Sequence, residues 1–204
     1  RLSRGFFFLE CMTLFEEILS IVLRAVYWVL VPAALLRFQM QAVRAPFRNP
    51  VGQFICAVTD WVVLPLRRML GAKGGSDWAS LVAAFLFQLL HGLLFDLLSL
   101  RFAILRGGAL PWAVGSVFEF ASTILSVAVF CLIVYAVLSW VRADSPVGDI
   151  LDALVNPWLR PIRRRMPLVG GFDLSPLVLV VLLQIALVVL GHAQAFTVGT
   201  VLRP

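Results

Sequence analysis

The sequence is short of charge, of cysteine and of histidine, and each shortage excludes something. Only 14% of its 204 residues are charged, against about a quarter in a soluble domain. With 61% hydrophobic residues and a mean hydropathy of +0.98, the chain has too little polar surface to cover a water-soluble globule, so its solvent is lipid. The three cysteines, Cys11, Cys56 and Cys131, stand far apart with no C-x-x-C spacing, which argues against a disulfide framework, a zinc site or a redox pair. The two histidines lie in different halves, and no H-E-x-x-H, phosphate loop or nucleophile–base set occurs. No enzyme, cofactor or metal site is expected. Residues 1–11, RLSRGFFFLEC, lack the layout of a signal peptide. Met12 opens a more natural start, so 1–11 read as an upstream extension or a disordered N-terminus.

What is present is arginine, apolar runs and repetition. A net charge of +6 and a pI near 10.2 would fit nucleic acid, but in a membrane chain such an excess sets topology, so no nucleic-acid partner is expected. Four stretches, roughly 17–38, 78–101, 113–141 and 175–197, reach the 20 or so helical residues that cross a hydrocarbon core. They lack the two-residue alternation of barrel strands, which leaves helices.

Between the first and second spans, and between the third and fourth, lies a shorter amphipathic stretch. Val147, Ile150, Leu151, Leu154, Val155 and Trp158 share one helical face, with Asp149, Asp152 and Asn156 opposite. Val51, Phe54, Ile55, Val58 and Val62 repeat that face, with Gln53 and Asp60 outside. At 12 or so residues, such stretches read as helices lying in the membrane interface.

The two segments are copies. Residues 50–88 align with 146–184 without gaps at an offset of ninety-six, and fourteen of thirty-nine positions are identical. The identities include Pro65/Pro161, Arg67/Arg163, Arg68/Arg164, Gly74/Gly170, Gly75/Gly171, Asp77/Asp173 and Gln88/Gln184. Shared hydrophobicity does not produce matched prolines, arginines and glycines, so the expected fold is an all-α membrane protein built as two repeats, 12–106 and 107–204. Each repeat holds an even number of spans, so the two should run parallel about an axis along the membrane normal. Eleven Arg or Lys residues fall in the two repeat loops: Arg37, Arg44, Arg48, Arg67, Arg68 and Lys73, then Arg142, Arg160, Arg163, Arg164 and Arg165. Five (Arg1, Arg4, Arg101, Arg106 and Arg203) fall on the other side, which puts the loops in the cytoplasm and the termini outside.

These residues resemble the YggT family of small bacterial integral membrane proteins. The likeness is carried by N-P-V-G at Asn49–Gly52, P-L-R-R at Pro65–Arg68, N-P-W-L-R-P-I-R-R at Asn156–Arg164 and G-G-F-D-L-S-P-L at Gly170–Leu177. It covers nearly the whole chain from Met12, and tandem duplication is itself a family trait. The first copy departs from the pattern, with Ala79 and Ser80 where the second has Ser175 and Pro176. The resemblance implies a bacterial inner-membrane location and a link to osmotic-stress tolerance, division-gene neighbourhoods or membrane-complex assembly. It implies no catalytic residue.

The repeated turn has two readings. In the first, the glycines make a tight turn, Asp77 caps the second span, and Asp173 or Ser175 caps the fourth with Pro176 in its first turn. Arg67 and Arg163 then sit just past the interfacial helices, suited to the negative helix end and to anionic lipid headgroups. In the second, the paired basic turns dock a membrane or cytoplasmic protein; self-association stays open. The polar residues of the spans also fall into repeat pairs. Gln88 and Gln184 suggest hydrogen bonds between helices. Asp96 pairs with His192, and Arg24 with Glu119 to within one residue. Arg24 and Glu119 are expected to form an ion pair toward the outer side, stapling the bundle or marking one end of an ion path. The function expected is a non-catalytic scaffold or assembly factor, with a small transporter or channel subunit as the alternative.

Overall fold

The computed structural model describes residues 2–70, 77–98, 108–141, 146–165 and 173–201. Every element among them is a helix: α1 (Leu2–Ala42), α2 (Pro50–Leu70), α3 (Trp78–Leu98), α4 (Ala109–Val141), α5 (Pro146–Arg163) and α6 (Ser175–Val201). Four are long and apolar enough to cross a membrane, over Leu14–Ala42, Trp78–Leu98, Ala109–Val141 and Ser175–Thr200. These match the expected spans to within four residues at each end. The backbone is already helical at Leu2, so residues 2–11 continue α1 instead of forming a loose N-terminus.

Local chemistry sets the helix ends. α1 stops in a Schellman turn: the Ala45 amide donates to the Met40 carbonyl at 2.8 Å and the Arg44 amide to the Gln41 carbonyl at 3.1 Å. Arg44 takes the left-handed position, φ +55°, that glycine usually fills. α2 then starts on N-P-V-G. The Asn49 side chain accepts the Gly52 amide at 2.7 Å as an N-cap, and Pro50 occupies the first helical position, where no amide partner is missed. Gly52 is required by contact, because a Cβ there would meet the Phe47 carbonyl oxygen at 2.7 Å.

The connecting helices are longer than their amphipathic stretches. α2 spans 21 residues and α5 18, so Pro65, Arg67 and Arg68, like Pro161 and Arg163, belong to helix and not to a turn beyond it. Proline in a helix interior removes a hydrogen bond. Here the last turn is held from outside by the ion pairs described below.

The buried faces are also rotated slightly from expectation. In α2 the inward line is Gly52, Ile55, Thr59 and Val63, while Phe54 and Trp61 point out. In α5 it is Ile150, Leu151, Leu154, Val155 and Leu159, with Trp158 outward. An outward aromatic suits a helix edged by lipid headgroups, which hydrophobicity alone cannot separate from an inward one.

α1 packs chiefly on α3 and α4 on α6, with α2 and α5 wedged against their own pair. The halves meet through α1–α4, α3–α4 and α1–α5. Small residues on α3, Ala79, Ser80, Ala83 and Ala84, are buried and let it approach closely. At those positions α6 carries Ser175, Pro176, Leu179 and Val180, three of them clearly bulkier. α6 is the peripheral span: 6% of its core window is buried, against 22% for each of the other three.

Candidate functional site

Two polar clusters and one cavity carry the chemistry. The first cluster ties α2 to α1 and α3. Asp77 precedes α3 and caps it, its carbonyl accepting the Ser80 amide at 2.9 Å and its carboxylate accepting the Ser80 hydroxyl. Arg67, in the last turn of α2, donates to that carboxylate from Nε at 3.3 Å and from Nη2. From α1, Arg37 brings a second guanidinium, 4% exposed, whose Nη1 donates to Thr59 Oγ1 and Asp60 Oδ1, both at 2.7 Å. Its Nε lies 3.8 Å from Asp77 Oδ2. Burial opposes ionisation of Asp77, but hydrogen bonds from Arg67 and Ser80, with the charges of Arg67 and Arg37, hold its carboxyl below the usual range.

The second cluster repeats the plan with different parts. Arg163, in the last turn of α5, donates from Nε to Asp173 Oδ2 at 2.7 Å and from Nη1 to Asn156 Oδ1 at 3.4 Å. Asp173 Oδ1 accepts the Ser175 amide at 2.9 Å, capping α6. Burial again opposes ionisation; the Ser175 hydrogen bonds and Arg163 overcome it, and the carboxyl is held low. α4 supplies Tyr135 where α1 supplies Arg37. Its hydroxyl accepts from Arg163 Nη2 at 2.7 Å and donates to Asp152 Oδ1 at 3.0 Å.

Arg67 and Arg163 therefore donate hydrogen bonds to Asp77 and Asp173 within the protein, while their side chains stay 38% and 32% exposed. Their neighbours Arg68 and Arg164 are exposed, as are Pro65 and Pro161. Ser175 and Pro176 are buried at the start of α6, and Asn156 is half-buried. Gly74, Gly75, Gly170 and Gly171 lie outside the described residues. Sequence reading misses Arg37, Thr59 and Tyr135. Arg37 reads as a topology arginine, and its signal is its place inside the apolar run 17–38, more than a turn before α1 ends.

Midway along the spans, Tyr27 of α1 donates to Gln88 Oε1 of α3 at 2.6 Å and meets Thr123 Oγ1 of α4 at 2.9 Å. Gln88 in turn donates from Nε2 to Glu119 Oε2 at 3.1 Å. Above this network opens a cavity of about 550 Å³ among α1, α3, α4 and α6. Arg24, Tyr27, His91, Asp96, Glu119 and Gln194 supply its polar wall; Trp28, Phe95 and Trp112 supply its aromatic one.

Two expectations fail here. Arg24 and Glu119 share the cavity but form no ion pair: Arg24 lies over the Phe95 ring, 5.0 Å from its centroid, and Glu119 takes the Gln88 amide. Gln88 bridges helices as expected, but Gln184 is exposed on α6, as is His192, whose Nδ1 contacts the Val188 carbonyl at 2.9 Å. Repeat partners differ because α3 sits between α1 and α4 while α6 lies at the edge.

The chain matches the CCB3/YggT family model twice, over residues 12–98 and 114–194. It is 35% identical over 172 residues to the uncharacterized protein YggT of Escherichia coli K12, covering 83% of this chain and 87% of that protein. It is 37% identical over 166 residues to an uncharacterized protein of Pseudomonas aeruginosa, covering 80% of this chain and 83% of the relative. With an uncharacterized Haemophilus influenzae protein the identity is 30% over 150 residues, covering 73% and 78%. No solved structure matches.

Proposed function

The chain belongs to the CCB3/YggT family, and we propose that within it this protein is a non-catalytic, multi-pass inner-membrane scaffold or assembly factor that presents two basic helix ends at the cytoplasmic face. The observation that carries this reading is the division of labour within each arginine pair. Arg67 and Arg163 lock α2 and α5 to the next span, while Arg68 and Arg164 stay exposed at the ends of helices so fixed. Outward Trp158 stands near the end of α5 and suits the headgroup layer, while outward Trp61 lies midway along α2, its ring against Phe87. A rigid, duplicated arginine surface fits anionic lipid headgroups and an acidic protein partner.

The orientation rests on the arginine count of the repeat loops. A two-fold relation between the repeats is supported by the Tyr27–Thr123 contact, since these residues stand at the repeat offset of 96, and the even number of spans in each repeat makes it parallel. Residues related by a two-fold axis touch each other only where that axis passes. The alternative of a channel gains less support. Below the Tyr27–Gln88–Thr123 network, buried Val31, Ala34, Ala84 and Val127 fill the path between the spans.

The test compares wild type with Arg68→Gln/Arg164→Gln after extraction in mild detergent. Each basic residue near an anionic surface contributes about 1 kcal/mol, so the double variant should bind phosphatidylglycerol vesicles roughly thirtyfold more weakly. It should also lose co-purifying protein while keeping its fold. Equal vesicle binding and an unchanged set of co-purifying proteins would reduce these arginines to topology signals.

A further inference from the structure

The cavity at the far end of the spans plays no part in the scaffold reading, and its charge arrangement is specific. Of the residues lining it, Arg24 is cationic, and Asp96 and Glu119 are carboxylic acids. Arg24 and Glu119 carry opposite charges on one half-open cavity between the spans, where they attract each other. They nevertheless make no ion pair, each being held on its own wall, Arg24 over Phe95 and Glu119 by Gln88. His91 lines the same space, with its Nε2 buried and without a hydrogen-bond partner. Gly92 faces Trp112 across the cavity wall, a Cβ there lying in ordinary contact, 3.7 Å from the Trp112 ring. At about 550 Å³ the space is of ligand size. Its floor is closed by the Tyr27–Gln88–Thr123 hydrogen bonds, so it is built to hold a molecule, not to pass one through.

We propose that this cavity binds a small zwitterion. The ammonium group sits at Glu119 among the aromatic faces of Tyr27 and Trp112, and the acidic group sits at Arg24. A molecule carrying both charges satisfies both walls at once, whereas a simple cation or anion leaves one of them bare. Aromatic walls add cation–π attraction for the ammonium end. The same chemistry is offered by a free solute and by an ethanolamine lipid headgroup, and the experiment separates the two.

Wild-type protein in phosphatidylglycerol nanodiscs is titrated with phosphoethanolamine while thermal melting and tryptophan emission are followed, Trp28 and Trp112 being cavity residues. Ethylamine and methyl phosphate, each carrying one of the two charges, are run alongside. Phosphoethanolamine should raise Tm and shift the emission at concentrations at least tenfold below either single-charge probe. Glu119→Gln, which keeps an oxygen for Gln88, and Arg24→Met, which keeps the packing over Phe95, should each raise the midpoint at least tenfold with an unchanged elution profile. In nanodiscs containing phosphatidylethanolamine, loss of the free-probe response identifies the headgroup as the occupant. A response that persists identifies a soluble molecule. No response in phosphatidylglycerol discs, an equal response to ethylamine alone, or identical titrations of wild type and both variants would overturn the proposal. The arginine–vesicle test can fail or succeed independently, because it touches the other end of the spans.

Discussion

The hydroxyls of Tyr27 and Thr123 meet at 2.9 Å, although 96 residues separate them. That contact joins the two halves through their first spans, with Gln88 of α3 as the third member. Gln88 is 4% exposed and serves both Tyr27 and Glu119, so Gln88→Leu removes two interhelical hydrogen bonds, leaving Tyr27 with Thr123 as its partner. It should cost about 1–3 kcal/mol by the loss of those two bonds. Its repeat partner Gln184 is exposed on α6, and Gln184→Leu should be neutral or mildly stabilising in detergent. Chemical unfolding of the two variants side by side checks this, and equal effects would argue against the asymmetry of α3 and α6.

Breaking the first ion cluster should be the more damaging of the two. Asp77 has a 3% exposed side chain and answers to two arginines, while Asp173 is 19% exposed and answers to one. Removing one partner of a fully buried pair costs about 3–5 kcal/mol; Arg67 is 38% exposed and Arg37 keeps Asp60, so Asp77→Asn should fall below that figure while exceeding Asp173→Asn. Asp173→Asn should stay within about 1.5–3 kcal/mol, the range for a charged hydrogen bond. Denaturant midpoints measured in one detergent give the order, and a reversed order would count against the geometry.

Both carboxyls have folded-state pKa values held below the ordinary 3.8. The sign follows from linkage: their contribution is fully present above the unfolded carboxylate range and is lost as pH falls through the lower folded values. Thermal stability should therefore drop with acidification below about pH 4. The Asp77→Asn/Asp173→Asn variant should show a flatter acid limb than wild type. Parallel acid limbs in the two proteins would mean that other groups control it.

Gly52 packs its α-carbon face onto the Phe47 backbone, and a Cβ there has no flexible neighbour to displace. Gly52→Ala should destabilise by about 1–3 kcal/mol through overpacking. A methyl added at Gly191 would find nothing within 4 Å, so Gly191→Ala serves as the control and should hold wild-type stability. A Gly52→Ala protein as stable as the control would remove the contact argument for N-P-V-G.

Cysteine substitutions at Arg68 and Arg164 should resist a membrane-impermeant thiol reagent in intact cells, and one at Gly108 should react. Reaction at the first two and protection of the third would invert the orientation inferred from arginine counting.

Much of the fold is legible in the sequence because its signals are long. The four apolar runs and the ninety-six-residue offset each span many residues, and the helices fall where those runs stand. The ion clusters are half legible. Repeated Arg67/Arg163 and Asp77/Asp173 announce themselves, but their mutual pairing depends on α2 and α5 continuing through proline, which single-residue preferences argue against. Tyr135 is invisible because its equivalent in the first half is Gln39, while the matching role there falls to Arg37. Repetition in sequence gives no warning that Gln88 and Gln184 face different surroundings, because identity at a position says nothing about how many neighbours a helix acquires.

Each ion cluster joins only helices that are consecutive in the chain: α1, α2 and α3 in one case, α4, α5 and α6 in the other. During synthesis the N-terminal half can thus close as soon as α3 emerges, with its buried arginine already neutralised before α4 exists. The Tyr27–Gln88–Thr123 contact has to wait for α4. Order of manufacture is in this way built into the pairing scheme: each half assembles from its own ribosomal output, and α6, joined to its own half by Asp173 and Arg163 and by its packing on α4, is the last to arrive.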